Sequence, residues 1–392
     1  MRESEMGIST ICIRRARIIA AALFVCIFLL YNGIGALAEE VEVTAKLSSA
    51  KAACVLEVST GRVLFSWNAD EKMPMASTTK VMTALLALER TDMSDIVTAS
   101  RNAYGVPGTS IYLQIGEQLT MHDMLLGLML ASGNDAAVAI AEHIGGSVEG
   151  FLELMNLRAA EIGAFNTHFN SPNGLPIDDH YTTAYDFARI ARMAMRLPAF
   201  REIVSTQRAT IPWMDHDYDR ILNNKNRLLS GYAGATGIKT GFTNAAGRCL
   251  VFGANRNGME IVGVVLNCSD WFDEAERLMD QSFDQYRMTT MLADGDPVRP
   301  LTVRGGMGGT VRLAVRGDLT APLSLNEAVN VKLDLPESIQ APIKAGDIVG
   351  YVRMYGGGTL AAERQIVAAE TVEARTMLGA LRLIMRRWLL LG

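Results

Sequence analysis

Ser77 and Lys80 stand three residues apart in Ser77-Thr78-Thr79-Lys80, at the predicted start of a helix over 77–88. That spacing puts both side chains on one face, one turn apart. A serine hydroxyl is a poor nucleophile until a neighbour takes its proton. Lysine can take it only when neutral, which requires desolvation or further cations close by. Lys239, in Lys239-Thr240-Gly241, is the candidate for such a cation. Ser132-Gly133-Asn134 lies between the two, in a break between helices, with Asp135 expected as the next N-cap. There Ser132 could relay a proton and Asn134 could bind a substrate amide. The Ser77 N–H, free of an intrahelical acceptor, and the Phe242 N–H would together hold an oxyanion. Gly237 and Gly241 would let that strand approach a substrate closely. Each motif alone is weak, since S-x-x-K recurs by chance and an isolated S-G-N is usually a helix corner. Their order along one chain carries the information.

The elements that must position these residues follow from the patterning. Strands are predicted over 53–58 and 62–66, split by Ser59-Thr60-Gly61. From 120 to 195 the pattern is mostly helical, broken at Ser132-Gly133-Asn134, Gly145-Gly146 and Ser171-Pro172-Asn173-Gly174. Strands return over 248–254 and 260–267, and a helix is predicted over 272–286. Strands at both ends of a helical middle give an α+β fold, an antiparallel sheet closed by its first and last strands. Beyond 294 the texture becomes short alternating runs separated by Gly305-Gly306, Gly308-Gly309 and Gly356-Gly357-Gly358, a small all-β domain.

The two ends differ from this body. Arg14, Arg15 and Arg17 precede an apolar run over 18–30 and Ala36-Leu37-Ala38, the pattern of a secretory leader cut after Ala38. An uncleaved anchor is the alternative. Residues 371–392 form an amphipathic pattern, with Leu378, Leu381, Trp388 and Leu389 on one face and Arg375, Arg382 and Arg386 opposite. This fits a helix lying in a membrane interface, or one packed on the protein's own core, and the basic face favours the membrane. At 392 residues there is room for two or three domains. A 49% hydrophobic, 20% charged composition excludes a disordered chain, and a net charge of −5 offers no basic surface for nucleic acid. Cys54, Cys249 and Cys268 would remain in the exported chain; a turn at Arg256-Asn257 sets Cys249 opposite residues near 264, so three buried thiols are expected. His122, His143, His168, His180 and His216 lack zincin spacing, and no metal or cofactor is expected.

The three motifs in this order resemble the penicillin-recognising serine enzymes. Longer stretches narrow the resemblance: residues 75–84, MASTTKVMTA; 132–137, SGNDAA; 171–176, SPNGLP; 180–186, HYTTAYD; and 237–243, GIKTGFT. Together they resemble the low-molecular-weight penicillin-binding proteins, serine D-alanyl-D-alanine carboxypeptidases of family S11. The resemblance implies a β-lactamase/transpeptidase-like catalytic domain over 39–294, a small all-β domain over 295–370 and a membrane-anchoring helix over 371–392. It implies release of the terminal D-Ala from peptidoglycan stem peptides on the outer face of the cytoplasmic membrane. Ser77, Lys80 and Ser132 would be catalytic, and Asn134, Lys239, Thr240 and Phe242 would bind substrate. Lys239 and Thr240 would hold the terminal carboxylate, and β-lactams would acylate Ser77. One departure stands out. Related carboxypeptidases of enteric bacteria carry an arginine for that carboxylate where this chain has Ser269-Asp270. A class A β-lactamase is disfavoured by the lack of an E-x-x-x-N motif between Ser132 and Lys239. A wall-binding scaffold would need a degenerate site, and the motif residues are intact.

Overall fold

A computed structural model describes residues 50–376. The expected leader over 1–38 and residues 377–392 lie outside the described residues. Strands β1 (Ala50–Glu57) and β2 (Val63–Trp67) form the expected hairpin, and a 3-10 turn, Ala76–Thr79, runs into α1 (Lys80–Arg90). A ribbon of β3 (Ile96–Thr98) and β4 (Gln118–Thr120) precedes α2 (Met121–Met129), α3 (Asn134–Gly145), α4 (Val148–Ile162), α5 (Ala184–Met195) and α6 (Pro198–Ser205). A second ribbon, β5 (Arg208–Ile211) with β6 (Arg220–Asn223), and a short α7 (Leu228–Gly231) follow. Then come β7 (Ala235–Thr243), β8 (Gly247–Arg256), β9 (Met259–Cys268) and α8 (Trp271–Gln285).

Five of these strands make one antiparallel sheet in the order β2-β1-β9-β8-β7. The chain's first strand pairs with its last, Ala53 opposite Val265, which closes the sheet as expected. Alternation along the strands supplies two cores. Val251 and Val264 face α1 and α5, packing with Leu85 and Phe187, whereas Leu250 and Val265 face α8 and pack with Leu278. The helices therefore sandwich the sheet and leave β7 as an edge with one side unpaired. Leu250 lies opposite Val265, so Cys249 and Cys268 are out of register, and all three described cysteines are buried thiols with no disulfide between them.

The all-β part begins earlier than residue 295. α8 runs directly into β10 (Tyr286–Leu292), which pairs with β13 (Leu319–Ser324); no glycine or proline marks the join at 285–286. The main sheet orders β14 (Val329–Asp334), β16 (Ile348–Gly356), β17 (Thr359–Ala368), β12 (Thr310–Arg316), β11 (Pro297–Arg304) and β15 (Ser338–Gln340) side by side. Its core is Val311, Leu313, Val352 and Ile366. Arg62, at the base of β2, ties the two parts by an ion pair with Glu327. Residues 371–376 correct the helix expected from Thr371. Val372 bridges Ile343 and Ala374 bridges Gly306, because their backbone groups find partners at the rim of the β domain. Among the described residues no helix is long and apolar enough to cross a membrane.

Candidate active site

Ser77 sits in the 3-10 turn rather than in the first turn of an α-helix. Ala76, at φ +49°, bends the chain into that turn, and Lys80 opens α1 behind it. The close geometry survives the change. Lys80 Nζ donates to Ser77 Oγ at 3.0 Å, to Asn134 Oδ1 at 2.7 Å and to the Asn173 carbonyl at 2.7 Å. Lys80 is fully buried, and burial holds its ammonium pKa well below the ordinary lysine value. Lys239 adds to that depression, as expected, and Lys225 adds further; Asp135 opposes them. Lys239, also buried, is lowered to about 7 by burial and by Lys225. A neutral amine within hydrogen-bond reach of a serine hydroxyl is the arrangement a Ser–Lys acyl-transfer site needs.

Other expected residues land differently. Asn134 spends its side chain inside the protein, accepting from Lys80 and donating to the Pro107 carbonyl at 2.6 Å. It lines the cleft, yet its first contact is the base. Ser132 lines the cleft in a left-handed conformation (φ +65°), its carbonyl held by Thr109 Oγ1. Asp135 is not the cap of α3, a place taken by Gly133; its buried carboxylate accepts from Ser110 Oγ and from the Ile111 and Leu113 amides. Gly241 lies so close to the Ser77 turn that a Cβ there would sit 3.0 Å from the Ser77 amide nitrogen. Gly237, in contrast, packs on the Val204 carbonyl and stands away from the substrate side.

The cleft between these elements encloses about 390 Å³ and is lined by Ser77, Ser132, Asn134, Thr240, Phe242 and Lys225, among others. Lys239 does not line it; its Nζ turns back to the Thr240 carbonyl at 2.9 Å. Lys225, which the sequence reading missed, is an exposed residue on the cleft wall, and desolvation by its surroundings lowers its pKa too. Its only local signal was its place among Asn223, Asn224 and Asn226, just before the motif strand. Asn224 pins that turn by donating to the Thr206 carbonyl, and the buried Arg220–Glu117 pair ties its ribbon to the 110–117 segment. Trp271 closes the cleft on the α8 side. Arg248, opposite Phe242 in the β7–β8 ladder, donates to the Ser269 carbonyl and lies 6.0 Å from the Trp271 ring. Its guanidinium thus reaches the backbone of Ser269, beside Trp271.

The segment 171–176 supplies the floor. Asn173 gives its carbonyl to Lys80 and Pro172 gives its carbonyl to Thr83 Oγ1. Behind it, His180 Nδ1 accepts from the Asn170 amide, which leaves Nε2 to donate to Thr79 Oγ1 at 2.9 Å. Burial pushes His180 down to about 4, so it is a neutral brace and not a base. Gly174 is required here: φ is +84°, and a Cβ would fall 1.9 Å from the Ala76 carbonyl oxygen. Gly174→Ala is expected to cost about 2 kcal/mol or more of stability through left-handed strain and displacement of the Ser77 turn. Thermal unfolding alongside penicillin-acylation rates would check it; an unchanged melting temperature would refute it.

Fold and site are those of a serine hydrolase in which the hydroxyl meets a lysine amine instead of a histidine. Residues 39–270 match the family described as D-alanyl-D-alanine carboxypeptidase, Peptidase S11, and residues 286–374 match the penicillin-binding protein 5 C-terminal domain. The chain is 32% identical to the D-alanyl-D-alanine carboxypeptidase DacF of Bacillus subtilis, over 86% of this chain and 90% of that one. It is 31% identical to DacC of Escherichia coli, over 88% and 89%. Penicillin-binding protein 5 of Haemophilus influenzae superposes with a TM-score of 0.71 at 27% identity, covering 83% of this chain and 98% of that one. The Streptomyces K15 DD-transpeptidase superposes at 0.57 with 33% identity, covering 60% and 97%. The chain belongs to the S11 D-alanyl-D-alanine carboxypeptidase family, and it is a D-alanyl-D-alanine carboxypeptidase by activity.

Proposed function

We propose that Ser77 Oγ attacks the carbonyl carbon of the penultimate D-Ala while neutral Lys80 accepts the hydroxyl proton. The observation that carries this is the 3.0 Å contact between Lys80 Nζ and Ser77 Oγ, with that amine buried beside Lys239. The tetrahedral oxyanion is held by the Ser77 and Phe242 amides. Its collapse breaks the C–N bond, and the leaving D-Ala takes a proton delivered from Lys80 through Ser132. Water then attacks the Ser77 ester with Lys80 as base, freeing the shortened stem peptide and restoring the hydroxyl. Asn134 holds Lys80 in line.

The terminal carboxylate goes to Thr240 and Lys225, which both line the cleft, with Lys239 contributing its field from behind. This assigns to Lys225 the charge that the enteric arginine carries. A β-lactam presents the same carboxylate and carbonyl, so it acylates the same serine. Mass spectrometry of the purified full chain with Nα,Nε-diacetyl-Lys-D-Ala-D-Ala, and separately with penicillin, tests the reading. One D-Ala released together with an adduct on Ser77 supports it, and neither signal from folded protein sinks it.

The leader over 1–38 places the enzyme outside the cytoplasmic membrane, and residues 377–392, which retain Arg382, Arg386 and Trp388, anchor it there. Val372 and Ala374 bridge to the β domain, so the proposed anchor is taken from residue 377 onward. Deleting residues 377–392 is expected to move active enzyme from the membrane fraction to the soluble fraction. Retention on membranes after the deletion would assign the anchor to another segment.

A further inference from the structure

A cavity of about 470 Å³ lies where the catalytic domain meets the β domain, and it shares no lining residue with the catalytic cleft. Glu57, Val58 and Ser59, at the end of β1, wall one side; Asn255, Gly258 and Glu260, from the β8–β9 hairpin, wall another. Arg196 follows α5, Arg201 stands in α6, and Arg364 comes from β17 of the β domain. Both carboxylates are already engaged. Glu57 accepts from the Ser59 amide at 2.8 Å and the Thr60 amide at 2.7 Å, and Glu260 pairs with Arg201 at 2.5 Å. The arginines are in excess. Arg364 Nη1 donates to the adjacent Glu363 carbonyl, and among the described residues the Arg196 guanidinium has no hydrogen-bond acceptor. Arg192 adds a charge behind the wall, donating to the Val58 and Ser59 carbonyls. Burial lowers the pKa of Arg192, and the neighbouring charge of Arg196 lowers it further against the pull of Glu57.

We propose that this cavity binds a phosphate group, and that the bound group bridges the catalytic and β domains. Ligand sites favour such domain junctions, where each side supplies part of the lining. The charge count sets the sign: three guanidinium groups face two carboxylates, with Arg192 behind them. The donor set selects the class of anion. One guanidinium fork satisfies the two oxygens of a carboxylate. Here Arg196 and Arg364 come from different domains, and Asn255 and Ser59 add neutral donors, which suits the several acceptor oxygens of a phosphate. Arg62 and Glu327 already pin the two domains beyond the β1–β2 turn, and the bound anion gives the junction a second tie.

Calorimetric titration of the full chain with inorganic phosphate, and with acetate at matched ionic strength, tests the site. Phosphate should bind and acetate should not, and phosphate should raise the unfolding temperature. Arg196→Gln and Arg364→Gln should each weaken phosphate binding about tenfold, the worth of one charge-assisted hydrogen bond. Both should leave the rate of penicillin acylation unchanged, since neither residue lines the cleft, and that rate shows each variant to be folded. Phosphate affinity unaltered in both variants, or no discrimination from acetate, would overturn the site. A loss confined to one variant would confine the anion to one domain and overturn the bridge. Competition then names the source. Displacement by soluble glycerol 3-phosphate marks a free phosphate ester, and displacement by phosphatidylglycerol vesicles marks a lipid headgroup.

Discussion

Ser77→Ala should lower kcat/KM for D-Ala release by at least about 10⁴-fold and abolish the covalent penicillin adduct. The size of the effect follows from what the hydroxyl does. It supplies the atom that forms the ester, and no second nucleophile stands in its place: Lys80 is buried behind it, and Ser132 lies across the cleft in a different loop. The substitution leaves the scaffold intact, since the hydroxyl accepts from Lys80, which keeps Asn134 and the Asn173 carbonyl. Melting behaviour should therefore match the unaltered enzyme, and non-covalent penicillin binding should persist through Thr240 and Lys225. Mass spectrometry after incubation with penicillin reads the outcome directly. An adduct surviving on Ser77→Ala would exclude Ser77 as the nucleophile, whatever became of D-Ala release.

The part of this site legible in the sequence is the part encoded by local spacing. Ser77 and Lys80 are one turn apart in any helical or 3-10 geometry, so the pair was secure even though the first turn proved to be 3-10. The closure of the sheet was legible for a similar reason: strand-like runs at both ends of a helical stretch have few other ways to bury their apolar faces. What escaped has no local signature. Lys225 is an ordinary lysine in a polar turn until the fold sets it beside Lys239, and Asn173 acts through its backbone carbonyl, to which side-chain type gives no clue. Lys239 was placed at the carboxylate by its motif; alternation along β7 turns it into the core side and leaves Thr240 on the cleft. Gly237 and Gly241 share a strand and a residue type, yet one relieves contact with Val204 and the other with the Ser77 turn. The β10 strand was absorbed into the preceding helix pattern because α8 ends at Gln285 with no breaker before Tyr286.

Three lysines around one serine make the site's protonation a collective property, and Lys225→Met is the variant that exposes it. Lys225 is expected to do two separable things. As the cation on the cleft wall it binds the terminal carboxylate, and as a neighbour it helps hold Lys80 and Lys239 below the ordinary lysine pKa. Loss of a charge-assisted hydrogen bond to substrate predicts a fall in kcat/KM of about 10- to 100-fold on Nα,Nε-diacetyl-Lys-D-Ala-D-Ala. On the same peptide with its C-terminus amidated, the two enzymes should differ far less, because the charge Lys225 recognises is gone. Removing a positive neighbour raises the pKa of the remaining ammonium groups. Lys80 must be neutral to accept the Ser77 proton, so the rising limb of the pH–rate profile should move to higher pH in Lys225→Met. Lys239, at about 7 in the unaltered enzyme, should also retain its proton to higher pH, keeping one positive charge behind Thr240 as the other is lost. Kinetics on both peptides across pH separates the two roles. A large loss on the carboxylate peptide with an unmoved limb would leave Lys225 as a binding group alone. Equal losses on the two peptides would remove it from carboxylate recognition and return that task to Arg248, whose guanidinium reaches Ser269 beside Trp271.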